Sequence, residues 1–187
     1  DVQGFMGALH GLKGASLDLI LHSPGGSLEA TEQIVKYLRN KYNHIRAIIP
    51  QNAMSAATML ACACDEILMG KHSALGPIDP QITFNSGSGP FTAPAQSILD
   101  EFNQAKEEIK NDPPSAAIWI KRIDKYPHGF LQICRNTIDL SEQRVSEWLA
   151  AWMLAQDPDR VAKGAAIAKW LGDAKKHLSH GRPFDYK

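Results

Sequence analysis

Two short segments of this chain place chemically useful groups directly after apolar runs. The run from Leu17 to His22 leads into Pro24-Gly25-Gly26, a turn that exposes backbone N–H groups, and a helical pattern follows. The run over residues 45–49 leads in the same way to Ser55, at the start of another helical pattern. Bare amides can bind an oxyanion, and a hydroxyl can attack a carbonyl. Together the two segments indicate acyl transfer.

The hydrophobic pattern around these segments predicts an α/β fold. Apolar runs predict strands at residues 17–22, 44–49 and 66–69, and the first is apolar enough to be buried on both sides. Helical spacing over residues 28–41 and 54–63 separates the strands. This order implies a parallel sheet with right-handed crossover helices, and functional groups in such sheets gather at the carboxyl ends of the strands.

The remainder of the chain is predicted to be irregular and then helical. Residues 70–94 are rich in Gly, Pro, Ser and Thr and lack a period, which predicts a long functional or mobile loop. A capping signal at Ser141 favours a new helix there. Helices are predicted over residues 2–12, 95–110, 115–125, 130–138, 141–155 and 160–171.

Composition narrows the classes of function. With 187 residues and 44% apolar content the chain can form one domain with a core. Its 20 basic and 20 acidic residues cancel without a basic cluster, which argues against a nucleic-acid partner. Cys62, Cys64 and Cys134 read as small core residues in a reducing compartment, because their number and spacing suit neither disulfides nor a zinc site. No run approaches the ~18 apolar residues of a membrane span.

These motifs resemble a known family. The segments His22-Ser23-Pro24-Gly25-Gly26-Ser27, Ala53-Met54-Ser55-Ala56-Ala57 and Ala61-Cys62-Ala63-Cys64-Asp65-Glu66-Ile67 resemble the Clp-protease and signal-peptide-peptidase group of serine peptidases. Residues 54–60 and 70–81 resemble most its serine dehydrogenase proteinase branch. The resemblance implies a Clp-protease/crotonase-like fold. We expect a single domain over residues 1–187, with a core at about 1–110 and a helical part at about 111–187.

The resemblance also implies roles for individual residues. Ser55 would be the nucleophile of a serine endopeptidase, and the amides of Gly26 and Ala56 would form the oxyanion hole. The substrate would be a peptide or protein bound as an added strand along the sheet edge, with no cofactor and no metal. Ser55 could instead cap a helix, and the glycine pair could simply make a turn. We expect Gly26 to tolerate no side chain, because a Cβ would enter the space of the scissile carbonyl or forbid the turn.

The general base is left open. Clp-type relatives carry a histidine shortly after the serine-bearing helix, where this chain has Pro77, Ile78 or Asp79, and the lysine of the membrane peptidases is replaced near Gln96. His180 lies near the acidic triad position of Clp-type relatives and is the first candidate base. Asp79 is a candidate orienting acid. The weaker candidates for the base, each also typical of a solvated residue, are His72, Lys71 and Lys106.

Other functions stay open beside peptidase activity. The chain could be a non-catalytic oligomeric member that binds peptides or a membrane partner, since the expected base is missing. It could also be an acyl-CoA hydratase or lyase, which would use paired amides without Ser55.

Assembly and location are further expectations. Apolar stripes at Trp148, Leu149 and Trp152 and at Ile167, Trp170 and Leu171 exceed what a three-stranded core can cover, which predicts a homo-oligomer. Because the chain begins without an initiator methionine, we interpret it as a piece of a longer protein. We expect a cytoplasmic location, and the resemblance also allows membrane association of the full-length protein through segments outside this chain.

Overall fold

A computed structural model describes residues 2–85 and 89–184. The helices and strands follow in the order α1 (Val2–Ala8), β1 (Ser16–Ile20), α2 (Leu28–Lys41), β2 (His44–Ile49), β3 (Asn52–Ala53), α3 (Ala56–Cys62), β4 (Glu66–Met69), β5 (Ala74–Leu75), β6 (Gln81–Asn85), β7 (Pro90–Pro94), α4 (Ala95–Asn111), a 3-10 turn (Pro113–Ser115), α5 (Ala116–Ile123), α6 (Phe130–Ala151), α7 (Arg160–Gly172) and α8 (Ala174–His177). Of the described helices, none has both the length and the apolar content that crossing a bilayer requires.

The chain folds into two compact units. The first unit comprises Asp1–Ile78 and Ser141–Lys187, and the second comprises Asp79–Leu140. Each unit has its own cluster of buried apolar residues. The single domain predicted over residues 1–187 stays a prediction.

The first unit contains the predicted parallel sheet. Its strands lie in the order β1, β2, β4, and both neighbouring pairs are parallel. Strands β2 and β4 begin and end where the sequence pattern predicted. The mixed α/β class and the parallel sheet are therefore confirmed.

The two faces of this sheet differ in burial. One face contributes Ile45, Ala47 and Ile49 to the core of the first unit. On the other face Arg46 of β2 pairs with Asp18 of β1 at 2.8 Å, while Ile20 is 72% exposed. The expectation that β1 is buried on both sides is wrong, because the alternation of side chains along a strand turns Asp18 and Ile20 to the solvent.

Helices α2, α3, α6 and α7 supply the rest of this core. Helix α2 begins at the predicted place, where the Ser27 hydroxyl accepts a hydrogen bond from the Ala30 N–H. All seven residues of α3 are buried. Trp148, Leu149 and Leu171 are also buried. We predicted a homo-oligomer partly because these three side chains were expected to exceed what the core could cover. Since the core does cover them, that argument is wrong for these three residues.

Residues 70–94 are more regular than predicted. They contain β5, and in the second unit β6 and β7 form an antiparallel hairpin. Phe84 of this hairpin packs against Phe130 with ring centroids 4.8 Å apart, beside the buried Ile98 of α4. The loop prediction is wrong here. Prolines at both ends of β7 obscure the strand pattern in the sequence, but a strand in a two-stranded ladder has only one neighbouring strand and tolerates them.

A single helix, α6, replaces the two helices predicted over residues 130–138 and 141–155. Ser141 does not cap a helix. It is buried inside α6, and its hydroxyl donates a hydrogen bond to the Ile78 carbonyl at 3.2 Å. A serine hydroxyl inside a helix usually competes for the hydrogen bonds of the helix backbone, which favours serine at helix ends. Here the hydroxyl has a partner outside the helix, so this competition is removed.

The three cysteines are free and buried, in agreement with the prediction that they are core residues. Burial raises the pKa of the Cys62 thiol and of the Cys64 thiol to about 12. Because the thiolate is the reactive form, these side chains serve packing and not chemistry.

Candidate functional site

The two motif segments lie side by side in the first unit and are hydrogen-bonded to each other. The Ser23 N–H donates to the Asn52 carbonyl, and the Met54 N–H donates to the Ser23 carbonyl, both at 3.0 Å. Ser23 and Ala53 form an isolated parallel bridge. This pairing continues the sheet by one step beyond the carboxyl ends of β1 and β2. It holds the glycine turn beside the segment that carries Ser55.

Ser55 has an unusual backbone conformation. Its φ is 52° and its ψ is −120°, and the only other non-glycine residue with positive φ in the described part of the chain is Leu178. Such a conformation costs on the order of 1–3 kcal/mol, and it persists only where the surroundings enforce it. Ser55 also stands at the N-terminal end of α3 without a side-chain capping hydrogen bond. The capping alternative is therefore wrong, and the hydroxyl is not committed to the helix.

Gly25 of the opposite segment permits the close approach of Ser55. Its φ is 120°, and a Cβ built on it would lie 2.8 Å from Ser55 Cβ and 3.0 Å from the Met54 carbonyl oxygen. Gly26 has no positive φ, and a Cβ built on it would meet nothing within 4 Å. We expected that a side chain at Gly26 would forbid the turn, and this part of the expectation is therefore wrong. Gly25 is the residue that the turn requires to be glycine.

The amides at the site differ in their partners. The Gly25 N–H donates to the Ser23 hydroxyl at 3.1 Å, so it is already engaged. Among residues 2–85 and 89–184, the N–H groups of Gly26 and Ala56 have no hydrogen-bond acceptor. The Ala56 N–H is the first of α3, at the positive end of the helix dipole. Both remain available for an oxyanion, and their use as an oxyanion hole stays a prediction.

Thr58 holds the serine-bearing helix in place, and the sequence motifs gave no reason to single it out. Its buried hydroxyl lies 2.7 Å from the Ala53 carbonyl oxygen and 2.9 Å from the Gly76 carbonyl oxygen, and it accepts the Gly76 N–H at 3.0 Å. One side chain thus connects α3 to β3 and to the end of β5. A threonine inside a small apolar helix was the available signal, because a buried hydroxyl needs partners.

His180 lines a concavity next to the two motif segments. This concavity measures about 350 Å³ and is lined by Pro24, Asn52, Met54, His180, Gly181 and Pro183. Pro24 and Met54 are the chain neighbours of Gly25 and Ser55. The structure therefore brings His180 to the neighbourhood of the predicted nucleophile, within the first unit. Its role as the base stays a prediction.

The segment that carries His180 is anchored just beyond it. Phe184 pairs with Leu75 of β5, accepting the Leu75 N–H at 3.0 Å and donating its own N–H to the Leu75 carbonyl at 2.7 Å. The Phe184 ring also packs at a tilt against Trp170 and His177, at centroid distances of 4.9 and 4.4 Å. Phe184 is therefore held at the edge of β5 by an isolated antiparallel bridge and by aromatic packing.

The other predicted site residues have surroundings of their own. Asp79 belongs to the second unit, where it is buried and accepts a hydrogen bond from Gln81 Nε2 at 2.8 Å. Its orienting role stays a prediction. Lys71 and His72 are exposed in the turn after β4, and Lys106 is exposed on α4. Within the described residues no group of His, Cys, Asp and Glu could hold a metal ion.

We expect Gly25→Ala to destabilise the protein by about 2–4 kcal/mol, because alanine would combine an unfavourable φ with a close contact against Ser55. Gly26→Ala should change the free energy of unfolding by less than about 1 kcal/mol. Urea denaturation of the two variants compares them directly. Equal stabilities would contradict the assignment of the turn glycine.

Thr58→Val should cost about 1–3 kcal/mol, because it leaves buried backbone groups with fewer partners at nearly unchanged volume. Thr31→Val is the matched control, since the Thr31 hydroxyl donates only to the Ser27 carbonyl, which the Thr31 N–H also contacts. We expect that variant to lose less than about 1 kcal/mol in the same denaturation experiment. A larger loss for Thr31→Val than for Thr58→Val would show that Thr58 is not the stabilising connection.

Comparison with known proteins agrees with this architecture. A family model described as ClpP-like SDH-type serine proteinase matches residues 10–156. Two similar proteins come from Methanocaldococcus jannaschii. The uncharacterized protein MJ1495 is 40% identical over 96 residues, which are 51% of this chain and 30% of the relative. The uncharacterized protein MJ0137 is 41% identical over 100 residues, which are 54% of this chain and 32% of the relative.

The chain spans about a third of the length of these curated relatives. No solved structure gives a significant match. The family match covers both motif segments and all three strands of the parallel sheet, so it confirms the resemblance and the Clp-like fold. This chain belongs to the family of ClpP-like SDH-type serine proteinases.

Proposed function

We propose that this chain carries the catalytic site of a serine peptidase with Ser55 as its nucleophile. The observation that carries the proposal is the strained backbone of Ser55, whose hydroxyl is free of any capping bond at the start of a buried helix. Strain of this kind is typical of nucleophiles displayed on a sharp turn between a strand and a helix. Membership of the family supports the same role.

In the proposed reaction Ser55 Oγ attacks the carbonyl carbon of a peptide bond while a base takes the hydroxyl proton. The carbonyl oxygen becomes an oxyanion, for which the open N–H groups of Gly26 and Ala56 are the donors. The base then gives its proton to the leaving amine, and water hydrolyses the acyl-enzyme in a second round of the same steps. Each oxyanion donor of this kind is typically worth about two to three orders of magnitude in rate.

His180 is the proposed base. The concavity that it shares with Pro24 and Met54 supports this assignment, because those residues flank Gly25 and Ser55. A histidine accepts a proton in the neutral form and donates it in the charged form, as both halves of the reaction require. Among the described histidines, His72 lies in an exposed turn.

The substrate we propose is an extended peptide of a protein or polypeptide. The family match supports this class, since the matching model is described as a serine proteinase. The acyl-CoA alternative uses amides alone, and it would leave the strain at Ser55 without a purpose. We also retain self-association as a proposal, supported by the exposed Ile167 and Trp170 of α7.

We expect a fluorophosphonate probe to label the protein covalently at Ser55, and Ser55→Ala to abolish both the labelling and peptide hydrolysis. Ser16→Ala is the control, because Ser16 is an exposed serine at the start of β1. Mass spectrometry of the labelled peptide identifies the site. A folded protein that hydrolyses no peptide and takes up no probe would favour the non-catalytic binding alternative.

His180→Ala should lower the hydrolysis rate at least about a hundredfold, because proton transfer by a positioned side chain contributes about 10²–10⁴-fold. Added imidazole should restore part of the lost activity. His72→Ala should leave the rate unchanged. Full activity in the His180 variant would assign the base to another residue, and loss without imidazole rescue would reduce His180 to a structural role.

A further inference from the structure

The second unit contains a cavity of its own. It measures about 620 Å³ and is bounded by the β6–β7 hairpin, α4, α5 and the turn after α5. That volume lies within the range of pockets that hold small organic ligands, about 300–1,000 Å³. The lining residues are Phe84, Phe91, Ala93, Ser97, Ile98, Glu101, Ile118, Lys121, Arg122, Lys125 and Tyr126. None of them belongs to the proposed catalytic site.

The walls of the cavity are apolar and open to solvent. Phe84 packs edge-to-face on Phe91 and on Tyr126, with centroid distances of 5.8 and 6.0 Å. Phe91 of β7 is 54% exposed and Ile118 of α5 is 75% exposed. Large apolar side chains that are exposed to water beside a cavity are typical of a binding site, because a bound ligand would bury them.

Only some of the charged groups that line the cavity form ion pairs. Glu101 forms an ion pair with Arg122 and accepts a hydrogen bond from the Tyr126 hydroxyl. Burial and the contact with Glu101 raise the pKa of Tyr126, which keeps its hydroxyl protonated as the donor. The single acid is thus committed to its own neighbours, and it does not neutralise the other cations.

Lys121 and Lys125 provide the charge that is left. With Ile118 they follow the three- and four-residue spacing of one helix face, which continues from α5 into the turn after it. Neither lysine forms an ion pair with any residue in the described ranges. The cavity therefore combines an apolar interior with two uncompensated positive charges at its rim.

We propose that this cavity binds a small amphipathic carboxylate, with an alkyl chain against Phe84, Phe91 and Ile118 and the carboxylate between Lys121 and Lys125. The apolar chain fits the walls, and the anion fits the unpaired cations. The lining offers few hydrogen-bonding groups beyond the basic residues, Ser97 and the engaged Glu101. It thus favours a chain without internal amides over a polypeptide.

Dodecanoate is the probe for this proposal, and isothermal titration calorimetry on the intact protein measures its binding. We expect saturable binding of dodecanoate and at least tenfold weaker binding of dodecanol, which has the same chain without the charge. The double variant Lys121→Glu/Lys125→Glu should bind dodecanoate at least tenfold more weakly than the unmodified protein. Lys121→Gln/Lys125→Gln should also weaken binding, and it replaces the first pair if charge reversal prevents folding.

The matched control is Lys106→Glu/Lys110→Glu, which reverses two exposed lysines on α4 of the same unit. It should bind dodecanoate as the unmodified protein does, and so should Ser55→Ala, which separates this site from the proposed peptidase. Absent binding, equal binding of dodecanol, or equal loss in both lysine pairs would overturn the proposal. Sedimentation of Ile118→Glu adds a last comparison. If that substitution dissociates an oligomer, the cavity is covered by a second copy, and the proposal is overturned.

Discussion

The rest of the site depends on one close approach, between the backbone of Gly25 and the side chain of Ser55. The two segments leave less room between them than a methyl group needs, because a hypothetical Gly25 Cβ would lie only 2.8 Å from Ser55 Cβ. This contact is possible because Ser23 pairs with both Asn52 and Met54 and so fixes the distance between two strand ends. Backbone pairing thus converts two separate sequence motifs into one surface.

Strain at Ser55 is tolerated because its surroundings are rigid. Helix α3 is buried along its whole length, and the Thr58 hydroxyl fixes it to two flanking strands. Arg39 secures the other end of the helix. Its guanidinium donates to the Ala63 carbonyl and to Asp65 and lies 4.2 Å from the centre of the Trp152 ring. A helix held at both ends leaves the residue directly before it, Ser55, little freedom to relax.

The sequence predicted those parts of the molecule whose signals are local. The strand at His44–Ile49 and the Ser27 cap follow from short patterns that no distant residue alters. The sequence did not predict the β6–β7 hairpin, because neither strand has a clear strand pattern of its own. Each strand is stabilised by pairing with the other. Ser141 was misread as a cap because its partner, the Ile78 carbonyl, lies far away in the chain. At the site, Gly25 and Gly26 are equivalent in sequence, and only the approach of Ser55 distinguishes them.

The anchoring of Phe184 on Leu75 has a consequence for the timing of synthesis. The concavity beside Met54 is completed by residues 180–183, which leave the ribosome long after the strands and α3 have been made. A nascent chain therefore exposes Ser55 and its turn while the edge of β5 is still unoccupied. The growing polypeptide passes through a stage in which Ser55 and its turn exist without residues 180–183, and the concavity is completed only when those residues have been made.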